Sequence, residues 1–170
     1  MISESLSLKR ASKTHIAELQ TWFNDSDQIL MWAGPSLGFP LGKDDFREKL
    51  SELGFTSFAL ISNLQQKVSD SQQKENVYGF GQYQLHPPLL HLGRLAISPR
   101  HRGKGLASVL LNKLIKKGNR QGTITTVSLF VFVSNTAAYK AYLSAGFVKT
   151  ANPTGKQIIE GCDYLTLNLK

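Results

Sequence analysis

The stretch over residues 89–118, LLHLGRLAISPRHRGKGLASVLLNKLIKKG, constrains this chain more than any other. It reads as a buried strand over 90–97 halted by Ser98-Pro99, a basic glycine turn over 100–105, and a helix that ends before Gly118. Strand, glycine turn and helix start in that order suit an anionic phosphate ligand. Glycine lets the backbone come close to the ligand, and the first N–H groups of a helix have no intrahelical partner, so they point at the anion. Two better-known phosphate loops do not fit. A P-loop needs Ser or Thr after its lysine, and Gly105 follows Lys104; a dinucleotide fingerprint wants a third glycine where Ser108 stands, and an acid about twenty residues on.

The turn resembles the acyl-CoA-binding motif of the GNAT superfamily of N-acyltransferases, Q/R-x-x-G-x-G/A, with Arg100, Gly103 and Gly105 in its three fixed places. The segment over 135–147, NTAAYKAYLSAGF, resembles that family's second signature, an Asn followed by a Tyr and then Gly-Phe. The resemblance implies a mixed, mostly antiparallel sheet flanked by helices. A central strand pair, over 90–97 and 125–133, splays apart to form an acetyl-CoA cleft.

At 170 residues and 41% hydrophobic content the chain fits one domain, 1–170, with a single substantial core. No apolar run approaches membrane-spanning length and the first residues carry no signal-like segment, so a cytoplasmic protein away from membranes is expected. The net charge of +8 is unevenly spread: between Asn76 and Ile159 there is no acid, while ten of the twelve acidic residues fall in the first 75. A basic half suits a polyanion, either the phosphates of CoA or a nucleic-acid backbone. Nucleic acid is disfavoured because the basic residues do not alternate with exposed aromatics; Phe130 and Phe132 fall in a strand read as buried. The acid-free span also bars any carboxylate base from within it.

Taken in order, the chain reads as a strand over 6–9 and a helix capped at 12–14 that runs to about Phe23, with Ile16, Leu19, Trp22 and Phe23 as core. A short helix over 27–31 leads to a glycine- and proline-rich loop over 32–42, and a third helix covers 44–53. Strands follow over 55–62 and 77–85, joined by a long polar hairpin loop over 63–76. After the glycine-turn helix, with its wide apolar face from Leu106 to Ile115, come a nearly continuous apolar strand over 125–133, a helix capped by Asn135-Thr136, and a last strand over 162–169. The order β-α-α-β-β-β-α-β-α-β, leaving out the short helix, is that of a layered α/β domain. Cys162 cannot form an intramolecular disulfide and is expected to pack in its strand.

The resemblance further implies acetyl transfer from acetyl-CoA, as cosubstrate and without metal, to a primary amine on a small molecule, peptide or protein. It assigns the pyrophosphate to backbone N–H groups between Arg102 and Ala107, including Gly103, Lys104, Gly105 and Leu106, with added charge from Arg100, Arg102 and Lys104. Pantetheine would pair with Leu95 and Ile97, and Asn135 would bond the cofactor or cap its helix. Direct attack through a tetrahedral intermediate expels a thiolate, and Tyr142 matches the family's tyrosine that protonates it; thiol and phenol pKa values of about 8.5 and 10 ask for little tuning. Many members carry a Glu on the central strand. Here His91 stands near that place, as base through water or as a structural histidine, and the amine can also arrive neutral. Trp32 and Phe39, in the loop that borders the family's acceptor site, are candidates for substrate contact or for core. Two other classes remain: a GNAT fold that binds acyl-CoA without turning it over, and a basic nucleic-acid binder. Monomer and homodimer are both compatible with the pattern.

Overall fold

The computed structural model describes residues 6–40, 42–62, 75–155 and 159–169, with every side chain among them save those of 43–45 and 53. The elements are β1 (Leu6–Arg10), α1 (Lys13–Gln20), α2 (Ser26–Ala33), α3 (Lys43–Ser51), β2 (Thr56–Ser62), β3 (Val77–His86), β4 (Leu89–Ile97), α4 (Leu106–Gly118), β5 (Thr126–Phe132), α5 (Thr136–Ser144), β6 (Val148–Lys149) and β7 (Cys162–Asn168). The strands form one sheet in the order β1-β2-β3-β4-β5-β7-β6. Every pairing is antiparallel except β4 with β5. The expected hairpin loop lies outside the described residues apart from its end at Glu75 and Asn76.

Alternation along β2 shows how one sheet serves two cores. Phe58 and Leu60 join the core shared with α4 and α5, while Ala59 and Ile61 join the core shared with α1, α2 and α3. The glycine-turn helix buries Leu106, Leu110, Leu111 and Leu114. It lies close over β3 because Gly81 presents no side chain there: a Cβ at that position would stand 2.7 Å from Leu114 Cδ1.

Helix boundaries follow their caps. Ser12 and His15 form a reciprocal cap at the start of α1, which ends at Gln20 because Thr21 turns back through its N–H and its hydroxyl to Glu18 O. Trp22 and Phe23, expected inside that helix, lie beyond it and are buried all the same. Asp25 then accepts from Gln28 N and starts α2, longer than the short helix expected. Gly118 stays within α4, and Asn119 takes the cap. β6, two residues long, was not anticipated.

Candidate active site

β4 and β5 pair only where Leu89, Leu90 and His91 meet Thr126, Val127 and Ser128. Past that point the strands part, and a cleft of about 740 Å³ opens between them. One wall is the end of β4, at Leu95, Ala96 and Ile97; another is the start of α4; a third is α5 with the loop before it, at Asn135, Ala138, Ala141 and Tyr142.

The phosphate-suited end is built mainly of backbone. Gly103 and Gly105 have φ of +74° and +73°, a conformation that side chains rarely tolerate, and a Cβ at either would meet nothing within 4 Å. Gly105 is the N-cap of α4 without a side-chain cap bond, and no acid stands in the first turn, so the helix start presents its amides and its positive dipole end to the cleft. Arg102 lines the cleft while its Nε donates to Ile97 O at 3.2 Å. Lys104 Nζ donates to Arg100 O at 3.3 Å; both side chains are exposed, and neither residue lines the cleft. His101 does line it, its ring 4.2 Å from that of Tyr78 and its Nδ1 buried without a partner. Burial, then the nearby cations Lys104 and Arg100, lower its pKa below the usual imidazole value.

Tyr142 is buried on α5, its ring 6.1 Å from that of Phe147. Burial pushes its phenol up to about 12. Its hydroxyl takes no hydrogen-bond partner from the described residues. Asn135 Oδ1 caps α5 by accepting from Ala138 N at 3.3 Å, and the residue lines the cleft.

At the far end the lining comes from α2 and a bulge in β4. Phe80 pairs with Ala96 and Gln82 with Gly93, so three steps along β4 match two along β3. The extra residue falls at Arg94 and Leu95, and Arg94 takes φ of +51°, a conformation that costs a non-glycine residue about 1–3 kcal/mol. Its guanidinium lies over the Phe55 ring at 5.6 Å and donates to Gln82 Oε1 at 3.0 Å. Opposite stand Asp27 and Trp32, the latter stacked on Phe23 at 4.5 Å. Asp27 is the only carboxylate among the described lining residues; Asp25 is occupied as the α2 cap.

The acetyltransferase (GNAT) family model matches residues 26–147, most of the chain. The chain belongs to the acetyltransferase (GNAT) family. It is an acetyl-CoA-dependent N-acetyltransferase, with acetyl-CoA as cosubstrate. Among solved structures it is similar to the Vibrio cholerae spermidine N-acetyltransferase in complex with CoA and spermine, at 18% identity and a TM-score of 0.69 over 97% of this chain and 96% of that one. A dodecameric form of spermidine N-acetyltransferase from Vibrio cholerae gives 17% identity and 0.65 over 97% and 94%. A domain from Methanocaldococcus jannaschii gives 15% and 0.70 over 96% and 98%. At these identities the likeness is one of fold, including the mixed sheet with its parallel β4–β5 pair. Among the described residues no group of His, Cys, Asp or Glu could hold a metal ion, and no helix is long and apolar enough to cross a membrane.

In this GNAT chain, four expected site residues do not line the cleft: Arg100 and Lys104 stand exposed beside the glycine turn, and His91 and Phe39 lie elsewhere. His91 lies on the closed side of the strand fork: its Nδ1 is 2.9 Å from Ser128 Oγ and its ring packs between Phe55 and Phe130. It is buried and does not line the cleft. Phe39 is 45% exposed over a separate hollow of about 130 Å³ with Leu37 and Phe46. Trp32 lines the cleft and is core as well, with Phe80 at 6.0 Å. Cys162 is half-buried on β7 and its thiol is pushed up to about 11, first by burial and then by Asp163. The sequence pattern singles out neither Arg94 nor His101. Arg94 carried no signal at all, since a left-handed arginine inside a strand has no pattern.

Proposed function

We propose that this acetyltransferase acetylates a primary amine by direct attack on the thioester of acetyl-CoA, through a tetrahedral intermediate. The observation that carries this reading is that one cleft has the uncapped start of α4 at one end and, in its wall, a phenol with no partner among the described residues. The pyrophosphate would rest on backbone N–H groups from Arg102 to Ala107, with Arg102 adding charge from within the cleft. Arg100 and Lys104 are exposed and would contribute screened attraction only. The pantetheine arm would run along Leu95 and Ile97, beside Asn135. A backbone N–H at the β4 bulge would face the oxyanion, where negative charge develops.

Tyr142 would serve the departing sulfur. With its phenol pushed up to about 12, it stays neutral throughout the physiological range. Burial that raises the phenol raises a departing thiolate as well, so the hydroxyl would donate a hydrogen bond to the thiolate as it leaves, and its protonation would be completed there or from water. With His91 outside the cleft, the amine would arrive neutral or lose its proton to water; Asp27 supplies the charge that draws an ammonium inward.

The test is release of CoA thiol from acetyl-CoA against a panel of amines: spermidine, short amino carboxylates and their amides, and peptides with free N-termini. Amine-dependent thiol release with an N-acetylated product supports the reading. Tight CoA binding without amine-dependent release would make the protein a holding module instead. Salt-sensitive duplex binding without CoA binding would point to the basic nucleic-acid reading.

A further inference from the structure

We propose that the acceptor carries an anionic group of the carboxylate class near its amine, and that Arg94 receives it. The proposal rests on the amine-acetylation reading and adds the substrate class. Arg94 lines the cleft from the β4 bulge, on a backbone held left-handed, so the fold sets where its side chain starts. Gln82, fully buried, fixes it: the Gln82 amide donates to Leu50 O at 2.6 Å and to Ser57 Oγ at 2.7 Å, which leaves Oε1 turned to accept from Arg94 Nη1. The remaining protein contacts are long, 3.4 Å each to Lys49 O and Ser36 Oγ.

Arginine has five N–H donors, and here Nε–H and one Nη2–H have no acceptor among the described residues. The Nε–H edge of a guanidinium, with the Nη2–H beside it, forms a fork that matches a carboxylate. No described carboxylate forms a salt bridge with Arg94; Glu52 acts on it only by weaker attraction. Burial also draws its pKa below the ordinary guanidinium value, so a charge stands here partly stripped of water. Asp27 lines the same cleft and is not paired with Arg94. One acid for the ammonium and one guanidinium for the carboxylate together complement a zwitterion. A polyamine, cationic along its length, would meet Arg94 as a like charge.

The experiment uses matched pairs of probes: ω-amino carboxylates of two to five carbons and α-amino acids, each against its own amide. Turnover is read as kcat/KM from thiol release, and binding is read by calorimetry on CoA-saturated protein. In the wild type each carboxylate should exceed its amide by about tenfold or more in at least one chain length, the factor that one well-made charged contact gives. In Arg94→Gln the carboxylate-to-amide ratio should fall toward one, and in Arg94→Lys, which keeps the charge without the fork, it should fall only in part. Equal or reversed preference in the wild type, in both turnover and binding, overturns the proposal. So does an Arg94→Gln protein that folds and keeps the wild-type ratio, which would leave Arg94 as a tie between β4 and α3. Loss of CoA binding or of all amine-dependent thiol release would instead count against the acetylation reading on which this one rests.

Discussion

Arg94 Nη1 and Gln82 Oε1 lie 3.0 Å apart, joining a half-buried cation on the β4 bulge to a glutamine with no exposed surface. The same glutamine ties Leu50 O at the end of α3 to Ser57 Oγ on β2. A Gln82→Leu variant keeps the volume and strands all three partners. It should lose about 2–4 kcal/mol of stability, since a buried group left unpaired costs its full desolvation. Urea unfolding measures this, and a loss under 1 kcal/mol would show that the three partners find water or one another.

Gly105→Leu should fold and fail to bind CoA. The added Cβ meets no protein atom, but φ of +73° makes any side chain strained, at about 1–2 kcal/mol, and the bulk enters the space in front of the α4 amides. Calorimetry should register at least a hundredfold weaker CoA binding, equivalent to about 2.7 kcal/mol. Unchanged affinity in the folded variant would remove the pyrophosphate from this turn.

Alkaline stability follows from the Tyr142 phenol. It titrates at about 12 in the folded protein against 10.0 as its ordinary value, so between those values the folded state holds the proton that the unfolded state releases. That contribution, about 3 kcal/mol at most, is fully present below pH 10 and is lost as pH rises through 12. Unfolding free energies of the ligand-free protein from pH 9 to 12 should therefore fall less steeply in Tyr142→Phe than in the wild type. Tyr83 and Tyr139, also raised, remain in both proteins, so the difference in slope belongs to Tyr142. Parallel curves would contradict it.

How far the sequence led can be judged from particular residues. The glycine turn was legible because φ above zero demands glycine, and glycine is visible in a sequence. The wide apolar face of α4 and the apolar run of β5 were legible because burial imposes composition. Where His91 sits was not legible, because strand order alone does not tell which part of β4 still pairs with β5 when the two diverge. The hollow that Phe39 covers was not legible either, because proximity in sequence to Trp32 does not set it. Arg94 escaped notice altogether: its role depends on a register shift between two strands, and that shift is set by pairing across the sheet rather than by local residues.

The most direct test of the account is kcat for Tyr142→Phe, measured at saturating acetyl-CoA with chemistry limiting and with the best amine found. Removing only the hydroxyl keeps the ring among Ala138, Phe147 and its other core neighbours, so a structural tyrosine would lose little activity. A hydrogen bond given to the departing thiolate acts mainly in the transition state, and losing such a donor typically costs about a hundredfold. The account predicts a drop in kcat of about that size with acetyl-CoA affinity close to wild type. A kcat within about twofold of wild type, far inside the range such a donor supplies, would contradict it.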